Sequence, residues 1–288
     1  MLTIEPFEIR SIVTGSVRLD GGAMFGVVPK TLWSPKTDVD DLNRILLFTR
    51  TLLAIDRANR RVVLVDTGAG SKWSGKSAGR FAVEFDAQAI PDALASAGLT
   101  PEDVTDVIIT HLHFDHNGGM TEYVDNSDGA TRLRFPQATH WVHRKHLEHA
   151  QSPTRKDRAS FIAADFAALL GTTLLELVDG DEPDSAFDGL SWFISHGHTP
   201  YQLLPVFGTG VRRIMFVGDL IPTINHLGSP WVMAYDLNPL TSIAEKESVC
   251  KRCIDEELLL AFPHDPTTGG VALAGTPDNP RVAQTLDL

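Results

Sequence analysis

The stretch Thr110-His111-Leu112-His113-Phe114-Asp115-His116-Asn117-Gly118-Gly119 sets four side chains of metal-ligand type within six positions. It continues Val104–Thr110, a β-branched run that predicts a strand. In extended backbone, residues two apart face the same side, so His111 and His113 can point at one ion. The chain must then change direction for Asp115 and His116 to reach a second ion. Asn117-Gly118-Gly119 reads as the source of conformational freedom for that turn. Imidazole and carboxylate donors at this density suit zinc, iron or manganese.

Three downstream segments repeat one device, an apolar strand with a ligand-type residue at its tip. Ser195-His196-Gly197-His198-Thr199-Pro200 follows the expected strand Leu190–Ile194. Asp219 ends the strand Val211–Val217, and His264 ends the strand Glu257–Phe262. Upstream, Ile9–Val28 reads as strands with a tight turn at Asp20-Gly21-Gly22, and Ile45–Asp56 pairs with Arg61–Val65 as a hairpin ending at Asp66-Thr67-Gly68. Further strands are predicted at Thr139–Val142, Leu174–Val178 and Gln202–Val206. Helical spacing marks Phe85–Gly98, His143–Ala150, Ala159–Leu170 and Pro239–Ile254. Strand-rich halves each followed by helices predict two packed sheets with helices outside. The expectation is one layered α/β domain over residues 1–288, with a helical insertion at about 143–171 and a polar surface tail at about 276–288.

Composition narrows the function classes. The chain has 43% hydrophobic and 22% charged residues, enough material for a buried core. Its formal net charge of −12 argues against a nucleic-acid groove. No run of about 18 apolar residues is present, which argues against a membrane span. The start MLTIEPFEIRS carries no secretory signal, so the expected location is cytoplasmic. Cys250 and Cys253 then read as two reduced thiols on neighbouring helical positions. His140, His143, His146 and His149 recur every third residue and read as a strand end and a solvated helix face, with no metal role.

The ordered set H-x-H-x-D-H, G-H-T-P, G-D and a late histidine resembles the metallo-β-lactamase superfamily. The resemblance implies a four-layer αββα sandwich of α/β class. It implies that His111, His113 and His198 hold a first metal, that Asp115, His116 and His264 hold a second, and that Asp219 bridges them. The metal histidine of that pattern precedes Thr-Pro, which selects His198 and leaves His196 as a neighbour. Two divalent ions are implied, Zn2+ foremost, with Fe, Mn and Co as alternatives. Asp115 is the implied proton acceptor, and Asp66 the supporting aspartate that hydrogen-bonds the ligand loop.

The segments Asp20–Lys30 (DGGAMFGVVPK), Gly218–Thr223 (GDLIPT) and Pro230–Asp236 (PWVMAYD) are similar to the YtnP-like quorum-quenching lactonase branch, with methyl-parathion-hydrolase-like enzymes as cousins. That branch implies a dinuclear hydrolase opening N-acyl homoserine lactones, or cleaving esters, by attack of a metal-bridging hydroxide. Leu220-Ile221-Pro222 stands where some such lactonases carry a tyrosine, so that contact is absent or supplied otherwise. Met24, Phe25, Trp33, His226 and Tyr235 are the expected walls of a small-molecule pocket. His226 ranks first among them, because a histidine amid Thr-Ile-Asn-His-Leu-Gly reads as ill-suited to a core. A homodimer is implied by resemblance alone. The alternatives are a phosphotriesterase-like hydrolase and a mononuclear iron oxidoreductase of the persulfide-dioxygenase type on the same fold. The complete ligand set favours two metals and hydrolysis.

Overall fold

The computed structural model describes residues 1–124 and 129–288. Among these, strands β1 (Leu2–Ile4), β2 (Phe7–Asp20), β3 (Arg44–Asp56), β4 (Arg61–Val65), β5 (Glu84–Phe85), β6 (Asp106–Ile108), β9 (Thr139–His143) and β10 (Leu175–Val178) form one sheet. Its order is β1-β2-β3-β4-β6-β9-β10, with β5 paired to β2. Strands β7 (Thr121–Tyr123) and β8 (Thr131–Leu133) form a separate pair. The second sheet runs in sequence order through β11 (Leu190–Ser195), β12 (Gln202–Phe207), β13 (Arg213–Phe216), β14 (Leu258–Ala261), β15 (Gly270–Thr276) and β16 (Asn279–Thr285).

The period of two along these strands sorts side chains into layers. In β3 and β4, Leu53, Ile55, Val62 and Leu64 face a core shared with Ile90 and Leu94 of helix Ala89–Ser96 and with Leu147 and Ala150 of helix Arg144–Gln151. Their neighbours Leu52, Ala54, Val63 and Val65 face the other way, onto Leu203, Phe207, Ile214 and Leu259 of the second sheet. In that sheet the alternates Leu204, Met215, Leu258 and Leu260 pack on Val249, Cys250 and Cys253 of helix Pro239–Asp255. Three apolar cores therefore separate four layers: helices, sheet, sheet, helix. Cys250 and Cys253 are free and buried, filling the outermost core.

Several local expectations give way to tertiary structure. Asp20-Gly21-Gly22 starts a helix, Gly21–Phe25, with the Asp20 carboxylate accepting from the Ala23 amide at 2.8 Å. Phe85 joins β5, so the helix predicted over Phe85–Gly98 is confined to Ala89–Ser96. Ala159–Leu170 is broken into helix Ala163–Phe166 and a 3-10 turn at Ala167–Leu169, entered through extended Phe161 and Ile162. The expected surface tail is β16, an edge strand antiparallel to β15, and Leu286 beyond it is buried. Alternation there is weak because most of β16 is exposed on both faces, so the hydrophobic pattern gave no signal.

Candidate metal centre

All the ligand-type residues lie where strands end. His111 and His113 follow β6, and Asp115 and His116 sit in the single-turn helix Phe114–Asn117. Asp219 follows β13 in a 3-10 turn, while His198 and His264 follow β11 and β14. Main-chain bonds tie these tips across the two sheets. The Leu203 amide donates to the Thr110 carbonyl at 2.8 Å, and the Phe48 amide donates to the His264 carbonyl at 3.1 Å. Gly118 and Gly119 act by close approach, since a Cβ on them would lie 2.1 Å from the Ala69 carbonyl oxygen and 2.0 Å from that of Thr67. Gly118 itself is ordinary right-handed helical backbone (φ −57°), so its missing side chain matters here and conformational freedom does not.

The side chains converge as two interlocking groups. Ligand atoms of His111, His113, His198 and Asp219 lie within 4.8 Å of one another, as do those of Asp115, His116 and His264. Asp219 faces both: Oδ2 is 3.3 Å from His198 Nε2, and Oδ1 is 3.2 Å from His116 Nε2 and 3.1 Å from His264 Nε2. Asp115 Oδ2 is 3.6 Å from His264 Nε2.

Four of the five rings are held from behind. Asp66 Oδ1 accepts from the Thr110 amide, and Oδ2 accepts from Thr110 Oγ1 and from His116 Nδ1, all at 2.8 Å. The Thr110 hydroxyl proton is thus committed, so His111 Nδ1 donates to that oxygen at 3.0 Å. His264 Nδ1 donates to the Phe48 carbonyl at 2.8 Å, and His198 Nδ1 donates to Asp236 at 3.0 Å. These bonds fix the tautomer with Nε2 bare toward the cluster. Asp66 has φ +58°, a left-handed backbone that aspartate tolerates better than most residues.

The cluster suits divalent cations on its own geometry. Ring nitrogens are driven together, with His198 Nε2 3.1 Å from His113 Nδ1 and His264 Nε2 3.0 Å from His116 Nε2. Lone pairs that close repel unless a proton or cation lies between them. His111 Nε2, His113 Nε2 and Asp219 Oδ1 are buried without a hydrogen-bond partner among the described residues; the short approaches to Asp219 Oδ1 lack hydrogen-bonding alignment. Burial and the neighbouring rings push His111 and His113 well below the usual imidazole range, so both present neutral nitrogens. Burial acts the same way on His116, but Asp219, Asp66 and Asp115 outweigh it and raise that ring well above. For Asp219, burial would raise the carboxyl, yet His116, His264 and His198 hold it well below.

Above the cluster lies a cavity of about 280 Å³. His113, Asp115, His198, Asp219 and His264 form its floor, and Leu19, Met24, Leu47, Phe81, Phe114 and Met233 its apolar sides. Tyr235 and Lys156 also line it. Met24 and Tyr235, two of the five expected pocket walls, line this cavity. Phe25, Trp33 and His226 do not line the cavity; they form a stack behind it. Phe25 stacks on Trp33 at 5.1 Å and on His226 at 4.8 Å between ring centroids. His226 is 1% exposed and satisfied, donating from Nε2 to the Met24 carbonyl and meeting Thr223 Oγ1 through Nδ1. Two hydrogen bonds and an aromatic face make the core acceptable for a histidine whose burial pushes it down to about 4.

The histidine series also reads differently in three dimensions. His196 stays outside the cluster, beside Asp181 and Tyr201. His140 is buried in strand β9, and His143 and His146 are buried, against the expected solvated helix face. His149 is bound to Asp157 at 2.6 Å. His146 has a structural task that the sequence did not reveal. Its Nε2 accepts from the Leu112 amide at 2.8 Å and its Nδ1 donates to the Pro200 carbonyl at 2.9 Å, joining the loops of His111 and His198. Burial drives His146 to about 3, consistent with a neutral bridging ring. Its only sequence signal was a three-residue spacing, which is equally compatible with a polar helix face.

Known proteins resemble this chain in sequence and fold. The sequence model of the metallo-beta-lactamase superfamily matches residues 51–246. A curated relative named N-acyl homoserine lactonase AttM from Azorhizobium caulinodans is 32% identical over 205 residues, covering 69% of this chain and 72% of its own. Its namesake from Rhizobium radiobacter is 26% identical over 218 residues, covering 74% and 76%. A solved structure of a probable metal-dependent hydrolase from Staphylococcus aureus is 27% identical, with TM-score 0.85 over 99% of this chain and 100% of that one. The dizinc quorum-quenching lactonase AidC, at 17% identity, shares the fold with TM-score 0.75 over 98% and 95%. A match over most of the chain, joined to this convergence of strand-tip ligands, shows that the chain belongs to the metallo-beta-lactamase superfamily and is a metal-dependent hydrolase of it.

Proposed function

We propose that this chain opens lactone rings, N-acyl homoserine lactones foremost, and cleaves related esters, using two divalent cations with zinc as the leading choice. The observation that carries the reading is the pair of ligand groups sharing Asp219 at the floor of an apolar cavity. The names and ligands of the similar lactonases support it. Bound there, the cations would supply an activated water and an electrophile for the carbonyl oxygen.

The chain's own residues supply the rest. His111, His113 and His198 would hold one cation, Asp115, His116 and His264 the other, and Asp219 both. The apolar sides take an acyl chain and exclude water from the reacting carbonyl. Asp115 lines the cavity, and its carboxylate takes the proton of the attacking water and returns it to the leaving alkoxide oxygen. Burial, with Asp20 and Asp115 nearby, raises the Tyr235 phenol to about 12, so it stays a hydrogen-bond donor at neutral pH. It is our candidate for the polar contact missing after Asp219.

The test is turnover of a lactone panel with acyl chains of graded length. The expected result is ring opening with KM falling as the acyl chain lengthens. No turnover of any lactone by the metal-loaded chain would overturn the reading, and oxygen consumption with a persulfide would replace it with the oxidoreductase.

A further inference from the structure

Asp236 is 3% exposed, and its carboxylate meets two donors. His198 Nδ1 donates to Oδ1 at 3.0 Å and Ser242 Oγ donates to Oδ2 at 2.8 Å. The surrounding ammonium groups are committed elsewhere. Lys156 Nζ donates to the main-chain carbonyl of Asp236, and Lys246 Nζ donates to the carbonyls of Gly228, Ser229 and Trp231. Among the described residues, His198 is the one basic side chain in ion-pair contact with this carboxylate. A buried carboxylate is costly unless positive charge answers it. The far nitrogen of His198 faces the ligand cluster, where a cation would answer that charge through the ring.

We infer that Asp236 is a positioning residue for the first ligand group, a role that rests on the two-cation reading above. It keeps His198 in the Nδ1–H tautomer, fixes the ring plane and makes Nε2 a stronger donor to a cation. Asp66 stands in the same relation to His116 in the second group, at 2.8 Å. Each group thus has its own buried carboxylate on one of its imidazoles.

The helix Pro239–Asp255 is the base for this arrangement. Ser242 holds Asp236, and three residues on, Glu245 accepts from Ser195 Oγ and from the amides of His196 and Gly197. Gly197 lies so close that a Cβ there would be 2.3 Å from Ser242 Oγ. The loop carrying His198 is therefore moulded on the first turns of that helix. The cavity residues Met233, Ala234 and Tyr235 lead directly into Asp236, so wall and ligand share one support.

The experiment is titration of the metal-free protein with Co2+ and with Zn2+ in competition with a chelator, for wild type, Asp236→Ala, Asp236→Asn and Ser242→Ala. Asp236→Ala is expected to weaken one of the two binding events by ~10- to 100-fold, to change one part of the Co2+ absorption spectrum, and to leave the other event unchanged. Asp236→Asn, whose amide oxygen still accepts from His198 Nδ1, should recover part of the loss. If Asp236→Ala fails to fold, Asp236→Asn and Ser242→Ala decide the matter through the same spectrum. Two wild-type binding events and an unaltered spectrum in the folded variants would overturn the inference alone. A wild-type chain that binds no divalent ion would instead overturn the reading on which it rests.

Discussion

The metal cluster beneath the cleft joins seven side chains, four of its imidazoles held from behind by hydrogen bonds, whereas the cleft's wall is made of apolar side chains from several separate segments. On the floor, His116, His198 and His264 are each oriented by a directional bond to a carboxylate or carbonyl. On the wall, Met24 and Phe25 are consecutive residues of one short helix, yet one lines the cavity and the other stacks between Trp33 and His226. Directional chemistry needs particular residue types at particular spacings. A packed wall needs only apolar volume on the correct face, so the floor is rigidly specified and the wall is open to variation.

That contrast can be broken at either end. Asp219→Ala removes the group that both halves of the floor share. It should lower kcat/KM by about 10³-fold or more and reduce bound metal, checked by lactone kinetics with elemental analysis. Asp115→Asn should keep metal while lowering kcat by roughly 10²- to 10³-fold. Full activity with metal retained would remove Asp115 as the proton carrier.

Behind the wall, Phe25→Ala should cost about 3 kcal/mol of stability by thermal or denaturant unfolding, because it empties the centre of a buried stack. In front, Met24→Ala should raise KM for long-chain lactones by about 10-fold and spare short ones, a pocket-volume effect near 1.4 kcal/mol. A large KM change in Phe25→Ala without a stability loss would reverse the assignment of lining and backing. His196→Ala, outside both regions, should shift stability by less than about 0.5 kcal/mol and leave metal content unchanged.

One pH effect belongs to the support of the floor. Lys72 Nζ donates to the carbonyls of Gly118 and Thr121 just beyond the ligand segment, and pairs with Asp165 at 3.1 Å. Burial outweighs Lys72 and raises the Asp165 carboxyl to about 6. The folded state therefore holds this proton more tightly than the unfolded chain does. The associated stability is full below the usual carboxylate range and is lost as pH rises through about 6. Asp165→Asn should flatten the stability profile between about pH 4 and 6, as read by denaturant midpoints across that window.

Legibility followed the same division. Near-continuous apolar runs disclosed β3 and β4 because both faces of each are packed on separate cores, and the six-position cluster disclosed the ligand set because few other tasks need such donors. Asp66 was legible through the resemblance of Val65-Asp66-Thr67-Gly68 to the superfamily's supporting aspartate, while Asp236 was not, since nothing in its own segment ties it to His198. Phe25, Trp33 and His226 were misplaced because sequence distance cannot tell the front of an aromatic wall from its back. Strand β16 was missed because its exposed residues carry no alternation, and its place is set by pairing with β15. His146 was read as solvent-facing because only the fold brings the Leu112 amide and the Pro200 carbonyl to its two nitrogens.

The most direct test is the number of divalent ions bound per folded chain, measured by elemental analysis after metal loading and gel filtration, beside lactone turnover of the same sample. Two ions per chain, with turnover rising as the second is filled, is the predicted result. A folded chain that saturates at one ion with full lactone turnover, or that binds none, would contradict a site built on the shared carboxylate of Asp219.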